Sequence, residues 1–228
     1  MKHLKEIKDW KECINEVVCG DSLELMKMIP DNAIDLCLTD PPYGIGISNK
    51  VGGGSKRGAA KDFGKTDWDN FTPTQEFFDE IMRISKNQII FGGNYFNLPT
   101  TPCYLIWDKR EGLPVRTFAD CEMAWTSFTS PARIFRWKWD GMIQENMGKR
   151  KEVRQHPTQK PLELMKWCLA NYVEWKPNNP KPIICDPFAG SFTTARACKD
   201  MGYDWICIDK EEKYCKIGES RLQQQNLF

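Results

Sequence analysis

The run with the most chemical potential is Asp40-Pro41-Pro42-Tyr43, directly behind the apolar stretch 33–39. Two consecutive prolines fix the chain and remove two amide hydrogens. Their carbonyls have no neighbouring donor to satisfy, so one can face a ligand. Asp40 adds a carboxylate acceptor, and Tyr43 adds a flat aromatic face. Two acceptors beside a ring suit an exocyclic amino group on a planar base. A plain turn could hold the same residues. What favours chemistry is the position at the end of a strand-like run.

A second run, residues 186–194, reads D-P-F-A-G-S-F-T-T after the apolar stretch 183–185. Gly190 allows close approach of a ligand to the backbone, and a helix N-terminus follows. Asp209 closes the next apolar stretch, where an acidic side chain can accept bonds from ribose hydroxyls. The competing reading is a plain strand-to-helix turn with Asp209 as a solvated cap. Neither G-x-G-x-x-G nor G-x-x-x-x-G-K-[ST] occurs, which disfavours pyrophosphate and nucleoside triphosphate sites. Ten cysteines and two histidines, with no C-x-x-C pair, give no zinc spacing, so no metal site is expected.

The elements that must position these runs alternate. Strands are predicted at 15–19, 33–39, 88–91, 104–108, 121–127, 183–185 and 205–208, with an edge strand at 133–137. Helices are predicted at 23–28, 73–85, 161–173, 193–201 and 213–225. Thr72 is the expected N-cap and Pro73 the first residue of the second helix. Residues 141–155 read as polar, basic and irregular, and residues 44–69 as a mobile functional loop too polar for core. Strands alternating with helices imply an α/β layer structure with a Rossmann-like, doubly wound, mainly parallel sheet. The unusual turns all follow strands, where ligands of such folds bind.

Composition agrees. The chain has 228 residues, 41% hydrophobic and 28% charged, which excludes collagen-like, coiled-coil and mainly disordered chains. A formal charge of +1 says little about partners. Several cysteines sit in apolar runs, as small buried hydrophobes do. No apolar leader and no membrane-spanning stretch is found, and free thiols fit a reducing cytoplasm.

Taken together, the motifs make the chain similar to a beta-class amino-group DNA methyltransferase that uses S-adenosylmethionine. Asp40-Pro41-Pro42-Tyr43 matches that family's catalytic tetrad, residues 186–194 its cofactor motif, and His156-Pro157-Thr158-Gln159-Lys160-Pro161 its H-x-T-x-K-P hallmark. Gly20-Asp21-Ser22 matches a short N-terminal G-D-S stretch. The similarity covers nearly the whole chain as a single domain, 1–228, and its order of motifs is the beta-class order. Phe192 departs from it, standing where the family usually has glycine. Its ring would either narrow the methionine side of the pocket or repack. The resemblance implies a catalytic group of Asp40, Pro41, Pro42 and Tyr43. It implies cofactor contacts from Asp21, Thr158, Lys160, Asp186, Phe188, Ala189, Gly190, Ser191 and Asp209. Thr158 and Lys160 would flank the methionine part, and S-adenosylhomocysteine would be the product. A structural role is implied for His156. The target amine is unreachable inside a duplex, so base flipping follows. Adenine N6 is the expected target, with cytosine N4 the alternative.

Double-stranded DNA is the expected partner. Residues 130–155 hold seven basic and three acidic residues, among them Arg133, Arg136, Lys138, Lys149 and Arg150, interleaved with Trp137 and Trp139. Lys56 and Arg57 lie in the 44–69 loop, a lid in this reading, and Lys109 and Arg110 could join the same face. Basic patches with aromatic wedges suit phosphate contact and base extrusion, although charge runs are usually just solvated surface. Residues 109–155 are the expected target-recognition insertion. The resemblance further implies a bacterial or phage-encoded enzyme, monomeric or homodimeric, with a cognate restriction nuclease as a partner. Three other classes compete: a non-catalytic nucleic-acid-binding domain, a nicotinamide oxidoreductase, and a cytosine C5 enzyme built on Pro102-Cys103. The intact tetrad, the missing glycine fingerprint and the remote position of Cys103 disfavour them in turn.

Overall fold

The structure is a computed structural model that describes residues 1–46, 72–112, 119–140, 143–148, 151–156 and 158–223. In chain order the strands are β1 (Lys2–His3), β2 (Val17–Cys19), β3 (Ile34–Thr39), β4 (Ser85–Phe91), β5 (Tyr104–Asp108) and β6 (Cys121–Thr126), then β7 (Arg133–Arg136), β8 (Trp139–Asp140), β9 (Ile143–Gln144), β10 (Ile183–Asp186) and β11 (Asp204–Asp209). The α-helices are α1 (Ser22–Met28), α2 (Gln75–Ile84), α3 (Leu162–Tyr172), α4 (Thr193–Met201) and α5 (Glu212–Gln223).

Nine strands form one sheet in the order β1-β2-β11-β10-β3-β4-β6-β5-β7. Every pairing from β1 to β4 is parallel. β6 runs against both β4 and β5, and β7 runs parallel to β5 at the sheet's far edge. The carboxyl ends of β2, β3, β4, β5, β7, β10 and β11 therefore open on one rim. That rim also receives the start of the reversed strand β6. This is the expected α/β sheet, and the predicted edge strand is indeed at an edge.

Burial explains the alternation along each strand. In β11, Trp205 and Cys207 face one core cluster while Ile206 and Ile208 face the other. The first cluster receives Leu164, Met165 and Leu169 from α3, Ala195 and Cys198 from α4, and Cys215 from α5. The second receives Leu25 and Met26 from α1 and Phe78, Ile81 and Ile84 from α2. Each fully buried aliphatic side chain contributes about 1.5–3 kcal/mol. Of the ten cysteines, all free, nine are buried and only Cys121 is exposed, in keeping with their reading as small hydrophobes.

Two local expectations are corrected, and one stretch gains structure. Helix α2 starts at Gln75 with extended Thr74 as its N-cap, so Thr72 and Pro73 are free to line a cavity instead. Residues 141–155 are not wholly irregular, because β8 and β9 pair as a small antiparallel ribbon. The N-terminal residues carry a strand and two 3-10 turns, the second closed by a capping box between Asp9 and Glu12. Among the described residues no helix is long and apolar enough to cross a membrane.

Candidate active site

The two turns far apart in sequence meet because β3 and β10 are parallel neighbours, with Cys37 opposite Cys185. Thr39 Oγ1 donates to Asp186 Oδ1 at 2.7 Å, fastening one turn to the other. Asp186 Oδ2 accepts from Thr194 Oγ1 at 2.7 Å, and Oδ1 also accepts from the Phe188 amide at 3.1 Å. Burial pushes this carboxyl up to about 6, although those donors work against it. Asp186 thus holds the shape of the turn between β10 and α4.

Asp209, at the end of β11, accepts from the Gly190 amide on Oδ2 at 2.8 Å and from the Glu211 amide on Oδ1 at 2.8 Å. Burial also pushes it up to about 6. Gly190 has φ +50°, and a Cβ there would meet no atom within 4 Å, so open space lies against its backbone. Asp21 caps α1 by accepting from the Leu23 amide at 2.8 Å. These residues surround a cavity of about 360 Å³, within the usual range for small-ligand sites. All nine residues expected at the cofactor line it: Asp21, Thr158, Lys160, Asp186, Phe188, Ala189, Gly190, Ser191 and Asp209. The ring of Phe188 stands 5.4 Å from that of Phe77 on α2, an aromatic wall the sequence did not reveal.

Phe192 resolves in favour of repacking. It is fully buried, adopts the left-handed conformation at φ 58°, and is absent from the cavity lining. Its ring lies against Gly218 of α5, where a Cβ would fall 2.4 Å from Phe192 Cδ2.

On the other side of the cavity, Asp40 Oδ1 accepts from the Tyr43 hydroxyl at 2.6 Å and Oδ2 from Lys160 Nζ at 2.5 Å. Asp40 and Pro42 line the cavity; Pro41 and Tyr43 do not. The Tyr43 ring stacks on half-exposed Tyr95 at 5.0 Å and 13°. Gly92, at φ +68°, gives that ring its seat, since a Cβ there would sit 2.1 Å from Tyr43 Cε1. Lys160 also pairs with Glu122 Oε2 at 3.1 Å, and Lys109 pairs with Glu122 Oε1 at 2.8 Å. Burial alone would raise Glu122, but the two lysines hold it down to about 2. Burial raises Asp40 despite Lys160, and the two carboxylates raise Lys160 despite burial. Burial pushes His156 down to about 3, so its imidazole is neutral; it stands edge-on to Tyr214 at 4.5 Å, with Nδ1 3.1 Å from Thr158 Oγ1.

The basic residues divide. Arg133 and Arg136 are exposed on β7, and Arg136 reaches Glu111 at 3.3 Å. Arg133 opens β7 at the end away from the rim where β3 and β10 finish, whereas Arg136 closes it at that rim and half-buried Lys138 follows. Lys109 is engaged with Glu122, which Lys160 joins to Asp40. Arg110 does not belong to a DNA face: it is 5% exposed and its guanidinium is bound to Asp120 across the β5–β6 connection at 2.9 Å. Lys56, Arg57, Lys149 and Arg150 lie outside the described residues, as does most of the 44–69 loop. Arg154, not singled out from the sequence, stacks on Trp139 at 4.6 Å. Glu152 accepts from Arg221 Nη2 at 3.0 Å, and Arg221 Nη1 donates to the Ser191 carbonyl at 2.6 Å, so the segment before α3 is knitted to the cofactor-side turn. Cys103 precedes β5 at the opposite rim, buried 3.3 Å from Ser130 Oγ, which removes the C5 alternative.

A family model described as DNA methylase, of the N6/N4 type, matches residues 106–220. Type II methyltransferase M.HinfI of Haemophilus influenzae is 25% identical, across 92% of this chain and 69% of that protein. Type II methyltransferase M2.DpnII of Streptococcus pneumoniae is 26% identical, across 92% and 90%. Among solved structures, the PvuII DNA methyltransferase, described as cytosine-N4-specific, superposes with a TM-score of 0.60 at 16% identity, covering 93% of this chain and 87% of that one. The M1.HpyAVI–SAM complex superposes with a TM-score of 0.54 at 22% identity, covering 91% and 99%.

Proposed function

The chain belongs to the N6/N4 DNA methylase family, and from that premise we propose that it methylates the exocyclic N6 of adenine in double-stranded DNA. The coarser activity is that of an S-adenosylmethionine-dependent DNA amino-methyltransferase acting on a flipped base. The observation that carries the proposal is the Thr39–Asp186 bond between parallel neighbours β3 and β10. It puts a cradle for a donor and the Asp40 carboxylate, an acceptor for an amine, on one cavity.

The residues present fit the cofactor. An open approach to the Gly190 backbone, the Asp209 and Asp21 carboxylates for hydroxyl groups, and the Phe77–Phe188 wall for a planar ring form a matched donor and acceptor set. When bound, S-adenosylmethionine supplies an electrophilic methyl group on a sulfonium. In this proposal Asp209 holds the ribose, Phe188, Ala189, Gly190 and Ser191 shape its bed, and Thr158 closes the methionine side. Asp40 and the Pro41 carbonyl accept the two N–H bonds of the target amine. That draws the nitrogen lone pair out of the ring and toward the methyl group. Positive charge develops on the nitrogen in the transition state, where fixed acceptors help most. Placement of nitrogen and methyl in line contributes at least as much. Tyr43 supplies the face for the flipped base.

Residues 109–155 are proposed as the recognition region, with Arg133, Arg136 and Lys138 toward phosphates. The choice of adenine over cytosine rests on aspartate as the first residue of the tetrad. A nuclease sharing the recognition site, in keeping with a type II system, belongs to the same proposal. Incubation with methyl-labelled S-adenosylmethionine and unmethylated genomic DNA, followed by nucleoside mass spectrometry, tests it. Label in N6-methyladenine is expected and should vanish in Asp40→Ala while cofactor binding persists. Label in N4-methylcytosine would refute the adenine assignment. No label in wild-type reactions would refute the activity.

A further inference from the structure

The catalytic-side carboxylate does not stand alone. Its Oδ2 receives Lys160, whose side chain is 5% exposed and whose ammonium lies between Asp40 and Glu122. Glu122 is itself shared with Lys109. The order of charges is Asp40, Lys160, Glu122, Lys109, negative and positive in turn. They come from the turn after β3, the segment before α3, the start of β6 and the end of β5. Lys160 Nζ also stands 5.5 Å from the Tyr43 ring and 5.4 Å from the Phe91 ring. An ammonium so enclosed is fixed in place, unlike a lysine waving at solvent.

We propose that Lys160 is a positioning residue for methyl transfer, which keeps Asp40 an ionised and aimed acceptor, with Glu122 holding the ammonium in place. This rests on the function proposed above and moves Lys160 from the methionine end of the cofactor to the amine-accepting end. The reason is charge balance. The groups facing Asp40 are the Tyr43 hydroxyl on its own turn, Lys160 before α3, Glu122 on β6 with Lys109 behind it, and Asp186 on β10. Among the described residues Lys160 is the cation that touches it directly; Glu122 and Asp186 are both carboxylates. Without the ammonium, a partly buried Asp40 beside two other acids takes up a proton, and a neutral acid is a poor acceptor for an amine. Burial already raises Asp40, and Lys160 opposes that rise while Glu122 adds to it.

The two neighbours therefore act on Asp40 with opposite signs, and that separates a positioning role from a merely structural one. The experiment measures S-adenosylmethionine binding by calorimetry and single-turnover methyl transfer to unmethylated genomic DNA from pH 5 to 9, for wild type, Lys160→Met, Lys160→Arg and Glu122→Gln. In Lys160→Met the rate at neutral pH should fall about 100-fold or more, the size typical of losing one fixed electrostatic contact. Its acid limb should move to higher pH, with cofactor affinity held within about threefold. Lys160→Arg keeps the charge and should restore the limb near its wild-type position. Glu122→Gln should move the limb to lower pH. The Glu122→Gln and Lys160→Arg arms stand by themselves should Lys160→Met fail to fold, as judged by its thermal melt. A Lys160→Met enzyme that loses cofactor affinity but keeps its pH limb would overturn the inference, as would limbs moving together in the Lys160→Met and Glu122→Gln variants. A wild-type enzyme that transfers no methyl group to DNA would overturn the proposed function itself, and this inference with it.

Discussion

Phe192 and Gly218 should behave as a single packing unit, and a double-mutant cycle measures this. Gly218 lies inside helix α5, where replacing glycine by alanine ordinarily gains about 1 kcal/mol. Here the new Cβ would fall 2.4 Å from Cδ2 and 2.6 Å from Cγ of a fully buried ring. Overpacking of that kind costs about 1–3 kcal/mol. The two effects leave Gly218→Ala between neutral and about 2 kcal/mol destabilised. Phe192→Gly should lose about 3–5 kcal/mol of core packing and recover about 1–2 kcal/mol from the left-handed backbone, a net loss of about 1–4 kcal/mol. In the Phe192→Gly background the slot is vacant, so alanine at 218 should now stabilise by about 1 kcal/mol. The coupling energy is then about 1–3 kcal/mol, well above what independent sites show. Urea melts followed by circular dichroism, with all four proteins at one pH, give each corner of the cycle. Because Phe192 does not line the cavity, calorimetry should find cofactor affinity within about threefold in every variant. Additive corners, with alanine equally harmful in both backgrounds, would refute the packing argument.

Asp209→Ala should weaken S-adenosylmethionine about 10- to 100-fold in calorimetry, the loss of one or two charge-assisted bonds. Asp186→Asn should flatten the acid part of the stability curve. The folded pKa of Asp186 stands near 6, above the usual 3.8, so its contribution is full below 3.8 and is lost as pH rises through about 6. Urea melts across that window should show wild-type stability falling and the asparagine variant falling less; parallel curves would contradict the burial argument. DNA binding titrated against salt should lose about 0.9 from its logarithmic slope in Arg133→Ala, one phosphate contact. Arg110→Gln should leave that slope unchanged, because its guanidinium is bound to Asp120.

The turns that carry the chemistry were readable because each is a continuous run at a strand's carboxyl end. Asp40 with its prolines, and Asp186 through Ser191, announce themselves without partners. Glu122 did not, for it is the second residue of a strand. Only the reversal of β6 brings a strand's beginning to the rim, and the pattern C-E-M-A-W-T carries no direction. Lys160 was visible as a residue of interest, but its counter-ion lies 120 positions away. Arg110 shows the opposite error: sequence gives a charge but not its burial, and Asp120 on the same connection had already claimed it. Phe192 was seen as a departure, yet its resolution needed the empty side of Gly218. A glycine within a helical run was the one available sign.

The sheet's layout has a consequence for how target choice can change. Strands β5 and β7 both finish at the ligand rim, β6 starts there, and α3 is entered from the segment that bears Lys160. The connection from 109 to 120 and the stretch from 137 to 160 thus leave and rejoin the molecule at the same border. Lengthening a surface connection costs only about 0.6 kcal/mol per doubling. Additions in the 109–120 connection would leave the pairing of the nine-stranded sheet, and the donor half built on β2, β10 and β11, in place. A lineage can therefore retailor what it reads while inheriting its methyl chemistry intact.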